Sequence, residues 1–181
     1  MIKRVITSII IVLIMLFVTA AIVNNKEQDP NFLNDEIVRI EKYIQYGDAQ
    51  NTNVSQVAVS WHLDHILKTV NRITENLETS DPNAYESSFS VPRLMSNTFG
   101  FIPRGRAESP QSVRPPEVVK TEDIYNQLEE VRQNLQKIES LDENAFFEHP
   151  VFSNLNRDQT RRFLKVHTQH HLKIIRDILK N

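Results

Sequence analysis

Cysteine is absent from the 181 residues, glycine occurs three times and tryptophan once. Without cysteine there is no disulfide, no thiolate metal site and no cysteine nucleophile. A lipid anchor on an N-terminal cysteine is excluded for the same reason. So few glycines leave no Gly-rich loop to cradle phosphate, and no Gly-x-Ser-x-Gly turn is present for a serine nucleophile. Charge of one sign is also lacking. The formal net charge is -2, so no basic surface for nucleic acid is advertised by the whole chain. What remains, 40% hydrophobic and 24% charged, suits one ordinary domain with a real core.

The N-terminus is different in kind. Lys3 and Arg4 precede an uncharged run from Val5 to Val23, and charge resumes at Lys26, Glu27 and Asp29. At ~1.5 Å per residue the run nearly spans the hydrocarbon core as a helix. Basic residues ahead of it predict a cytoplasmic N-terminus and a domain outside the membrane. Thr19-Ala20-Ala21 is a weak cleavage site, so a removed signal peptide, leaving a secreted or periplasmic domain, is the alternative. Residues 1–24 therefore read as anchor or signal, 25–31 as linker and 32–181 as the domain.

Within the domain the apolar spacing predicts four long helices. The first runs from a cap at Asn31 or Asn34 to about Tyr46, before Gly47. The second covers about 53–78, with Val59, Leu63, Ile66, Val70, Ile73 and Leu77 as its stripe. The third is capped by Thr121, with Glu122 and Asp123 at its positive end and Ile124, Leu128, Val131, Leu135 and Ile138 buried. The last follows a capping box at Asn156 and Gln159 and ends near Leu179. Between helices two and three, residues 80–120 hold six of the eight prolines. Their aromatics, Tyr85, Phe89, Phe99 and Phe101, predict packing on the bundle. No strand pattern stands out. The expected class is all-α, a four-helix bundle with a long Pro-rich crossover behind an N-terminal transmembrane helix.

Histidine placement carries the functional signal. On a wheel of ~100° per residue, His167 sits at the centre of the last helix's apolar stripe. His171 lies about 40° to one side and His170 about 60° to the other. Unpartnered buried imidazoles cost on the order of 1–3 kcal/mol each. One divalent ion removes that cost, and positions i and i+4 on a helix face can both reach it. A third ligand must come from another helix. The apolar phase of the second helix favours His62 over His65, which stays open as alternative ligand, outer partner or cavity lining. His149 and His170 are further candidates for such secondary roles.

Val54-Ser55-(six residues)-His62-Leu63 and His167-Thr168-Gln169-His170-His171-Leu172 resemble the DinB/YfiT-like superfamily of metalloproteins. Trp61 to His65, Ile102 to Arg106 and Phe147 to Phe152 resemble a branch known only as a domain of unknown function. The resemblance covers about residue 30 to the end and leaves the N-terminal run outside. It implies a four-helix bundle with His62, His167 and His171 as metal ligands. Relatives include metal-dependent thiol transferases and proteins called hydrolases, so an unknown small-molecule substrate is implied. Zinc is the first expectation for the cofactor, with nickel, iron and manganese also suited to imidazole.

Other features have two readings. Arg93, Arg104, Arg106 and Arg114 make the crossover basic, and Arg104 and Arg106 can grip an anionic substrate or anionic lipid. Glu86, Glu108 and Glu117 offset them as ordinary loop charge. Asp64 and Glu148 read as a base, an outer partner of an imidazole, or surface carboxylates. Phe146 and Phe147 read as an end-plug. The rival to a metal-dependent hydrolase or transferase is a non-catalytic helical binding module. A homodimer is left open.

Overall fold

The computed structural model describes residues 2–105 and 108–180. Among them are six α-helices: α1 (Ile2–Asn24), α2 (Asn34–Tyr43), α3 (Val59–Thr79), α4 (Val91–Phe99), α5 (Thr121–Ser140) and α6 (Arg157–Leu179). Two short strands, β1 (Phe146–His149) and β2 (Ser153–Asn156), complete this mostly helical fold.

α1 stands apart from the core. Its stretch Ile2–Ile22 is long and apolar enough to cross a membrane or to serve as a signal sequence. From there the chain does not float as a linker. The Glu27 N–H donates to Asp158 O at 3.0 Å, and Lys165 pairs with the Glu27 carboxylate at 2.9 Å.

α3 is the central element, packed on both α5 and α6, while α2 lies against α6. Leu63, Ile66, Leu67, Val70 and Leu77 of α3 meet Ile124, Leu128, Val131 and Ile138 of α5. Leu164, Ile175 and Ile178 of α6, with Ile37 and Ile40 of α2, close the same core. Each such side chain removed from water contributes about 1.5–3 kcal/mol. The α3–α5 seam also has a polar clasp. Asn134 donates to Asn71 at 3.0 Å, and Asn71 donates to Glu130 at 3.0 Å. Asn134 is therefore fully buried where the stripe placed Leu135, which is only partly covered.

Several expected boundaries move. α3 starts at Val59, not near Asn53. The Asn51 side chain accepts from the Asn53 N–H at 3.1 Å, a local turn that competes with helix. The first α3 amides, Val59 and Ser60, are instead satisfied by the carbonyls of Ala49 and Gly47. Thr121 is the first residue of α5 rather than its cap, which is Lys120 without a side-chain bond. At α2, Leu33 holds the cap position, and the Asn34 amide donates to Asn31 instead of capping. The Asn156–Gln159 capping box of α6 is formed.

The two largest departures lie in the connectors. The Pro-rich crossover contains α4, capped by Ser90 and ended by Gly100 at φ 60, a left-handed conformation that costs glycine little. It packs through polar residues, while Phe89, Phe99 and Phe101 point outward. The crossover does pack on the bundle, through α4 against α6 and Tyr85 against Phe146 with rings 5.7 Å apart, but not through these three aromatics. Residues 146–156 form an antiparallel hairpin, Phe146 opposite Asn156 and His149 opposite Ser153. Four-residue strands are too short to show a period of two in the sequence, so the all-α expectation misses them.

Candidate metal centre

Three imidazoles converge where α3 crosses α6. His65, His167 and His171 each offer a ring nitrogen, and these atoms lie within 4.8 Å of one another. The i, i+4 pair sits on one face of α6, as the wheel predicts. The α3 member of the trio is His65. Its ring centroid lies 5.1 Å from that of His167 and 4.8 Å from that of His171.

His62 stands beside the trio. Its Nδ1 is 3.0 Å from Nδ1 of His171, and its Nε2 is 3.0 Å from Ser55 Oγ. One turn of α3 separates His62 from His65, so both can face α6. Apolar phase favours His62, and the convergence of ring nitrogens favours His65. The phase argument fails to separate them because Trp61 stacks on His65, with centroids 5.1 Å apart and planes 27° from parallel. That indole covers the imidazole as an aliphatic neighbour would and brings a residue off the main stripe into burial.

Hydrogen bonding orients the rings. The His65 Nδ1–H donates to Val113 O at 2.9 Å, which leaves its Nε2 lone pair free. On His171, Nδ1 faces His62, so Nε2 is the nitrogen that remains. If the His171 Nδ1–H donates to His62, then His62 donates through Nε2 to Ser55, and the relay is satisfied throughout. An outer partner on the second nitrogen is how metal-binding histidines are usually fixed. The Val113 carbonyl had no sequence signal, since it lies in the Pro-rich crossover. Ser55 was visible only as part of a spacing.

The electrostatics suit lone-pair donors. Burial pushes the pKa values of His167 and His171 well below the ordinary range, and neighbouring histidines push further. Burial lowers His65 as well. His62 is lowered to about 4 by burial, then by His65, His170 and Arg104. At neutral pH these rings are uncharged, the state a metal requires.

The remaining candidates fall elsewhere. His170 points off the trio toward a cavity of about 310 Å³, lined also by Tyr43, Arg104 and Lys173. Its pKa falls to about 4 through burial and then Arg104. Arg104 pairs with Asp177 at 2.6 Å and, by that hydrogen bond, holds the carboxyl below its usual range. Arg106 lies outside the described residues. Asp64 is buried but committed to Lys68 at 2.7 Å and to Gln127 at 2.7 Å. Glu148 is exposed on the hairpin.

His149 belongs to the hairpin. Its ring stacks on Phe152 at 4.6 Å and meets Phe163 edge-on at 4.9 Å. Its Nδ1 accepts from the N–H groups of Val151 and Phe152, both at 3.1 Å. Burial lowers its pKa from 6.5 to about 4. The unfolded chain therefore binds the proton first, and stability falls as pH drops from 6.5 toward 4. By about pH 5 this one group costs about 2 kcal/mol. His149→Gln keeps an acceptor and removes the titration. Denaturant unfolding of the metal-free variant should depend less steeply on pH across this window than that of wild type.

A mostly helical protein with three converging, neutral imidazoles, two of them oriented by hydrogen bonds, has the donor set of a histidine metal centre. The chain belongs to the family described as "Protein of unknown function (DUF1569)", which matches residues 40–178. That span takes in every histidine named above and leaves out α1. No curated protein matches the chain, and no solved structure does.

Proposed function

We propose that this protein is a membrane-anchored metalloprotein of the DinB-like kind, binding one divalent ion between α3 and α6 of a four-helix bundle made by α2, α3, α5 and α6. The observation that carries the reading is the convergence of His65, His167 and His171, two of them with Nδ1 already engaged. Basic residues ahead of α1 support a domain on the outer side of the membrane.

The residues fit an ion with three protein ligands and an open position, zinc first among the candidates. Lewis acidity toward water or a thiol is what such a set supplies, and a metal-dependent hydrolase or transferase reaction is the activity that follows. In that reading Trp61 and Phe163 wall the site, and Val113 and His62 fix the ring orientations. Arg104, at the nearby cavity beside His170, presents the donors to an anionic substrate group.

The test is metal content of the full chain purified in detergent without a histidine tag. Near-stoichiometric divalent metal in wild type, lost in His167→Ala, supports the centre. Metal-free wild type that also refuses zinc, nickel, iron and manganese sinks it. A non-catalytic module is the remaining reading in that case.

A further inference from the structure

α4 is an amphipathic helix turned inside out. Arg93, Ser96 and Asn97 face the protein, at 5%, 8% and 0% exposure. Val91, Met95 and Phe99 face outward, at 56%, 43% and 62%. These three are spaced i, i+4, i+8 and form one row. Phe89 ahead of the helix and Phe101 behind it extend the row at 77% and 53% exposure. In water the opposite orientation would be favoured.

The inverted face is held in place. Arg93 donates to the carbonyls of Phe152, Asn154 and Ser88. Arg162 of α6 donates through Nε and Nη2 to Asn97 O. Rotating α4 to bury its apolar row would break all of these bonds.

What lies against the row is indicated by α1. α4 packs beside the C-terminal part of that helix. The rings of Phe17 and Phe99 are 6.3 Å apart, and Asn97 reaches Asn25, where α1 has ended, at 3.4 Å. Phe17 is seven residues before the end of α1 at Asn24, about 10 Å along the helix axis. Phe99 thus stands level with a residue inside the apolar run, while Asn97 meets the first polar residues beyond it. Interfacial helices bury their apolar face about 5–10 Å into the headgroup and acyl boundary.

We propose that α4, with Phe89 and Phe101, is a second membrane contact: an interfacial helix whose apolar row lies in the same leaflet that α1 leaves. The contact rests on α1 spanning the bilayer, and it fixes the orientation of the domain instead of leaving it on a free tether. The occupant of the face is lipid acyl chain, because the face continues the lipid-facing surface of α1 and does not lead away from it.

The absence of cysteine makes the test direct, since each introduced thiol is unique. Leu13→Cys, Met95→Cys, Phe99→Cys and Tyr125→Cys place a spin label on the full chain. All four positions are exposed, so folding is not at risk. The chain is reconstituted into vesicles of phosphatidylethanolamine with a minor share of phosphatidylglycerol. Collisions with oxygen, which concentrates in lipid, are compared with those of chromium oxalate, which stays in water. Labels at 13, 95 and 99 should favour oxygen several-fold over the label at 125. Labels at 95 and 99 that meet chromium oxalate as freely as 125, with 13 still in lipid, overturn the second contact and leave the anchor standing. A label at 13 that also reads water removes both. Shielding of 95 and 99 from both reagents overturns the lipid assignment in favour of a second copy covering the face.

Discussion

His65→Ala is expected to abolish tight metal binding, whereas His62→Ala should weaken it by about 10–100-fold. The difference follows from what each ring does. His65 supplies one of the three nitrogens that converge within 4.8 Å, and its other nitrogen is occupied by Val113 O. Removing it leaves two ligands on α6 and an opening where the third stood. His62 contacts His171 at Nδ1, the nitrogen opposite the one left free to bind. Its loss removes an orienting partner but no converging donor. Titration of zinc into the metal-free variants, followed by calorimetry, separates the two. A His62→Ala protein that loses metal while His65→Ala keeps it would pass the ligand role to His62. Either variant should remain folded, because the apolar stripe of α3 stays in place and only one partner, such as Val113 O in His65→Ala, loses its donor.

The second large effect is on the fold. Arg93→Ala should destabilise the protein by on the order of 3 kcal/mol or more, since it removes charge-assisted bonds worth about 1.5–3 kcal/mol each. The guanidinium is 5% exposed and serves three carbonyls at once, including Asn154 O at 2.6 Å. Without it the carbonyls of Phe152 and Ser88 lose this donor, and Asn154 O keeps the weaker Ser88 hydroxyl at 3.3 Å. Arg93→Lys should recover only part of the loss, because an ammonium cannot reproduce the planar fork. Thermal unfolding in detergent reads both variants. Equal stability of Arg93→Ala and wild type would mean that α4 is not secured through this side chain. By sequence Arg93 is one of four loop cations that face solvent or substrate; its burial shows instead that it holds the crossover.

Legibility differed by element. The long helices of the core were readable because their apolar residues repeat for several turns, and Asn156 with Gln159 announced the start of α6. The hairpin was not readable, because two four-residue strands carry almost no period. α4 was not readable for a different reason. Sequence patterning assumes that apolar faces turn inward, and α4 turns its apolar face out.

The amino-acid sequence by itself determined the apolar N-terminal helix, the helical core and the i, i+4 histidine pair at the centre of the α6 stripe. Those features depend on local spacing, which the chain carries in one dimension. Only the tertiary structure brings His65 within 4.8 Å of that pair and sets His62 beside it, 3.0 Å from His171. The choice between His62 and His65 turns on Trp61 stacking and on a carbonyl 48 residues away at Val113. Likewise only packing decided that Arg93 and Asn97 are inside and Phe99 outside. Long-range contacts set which groups have partners, and the cost of an unpartnered buried donor outweighs local preference.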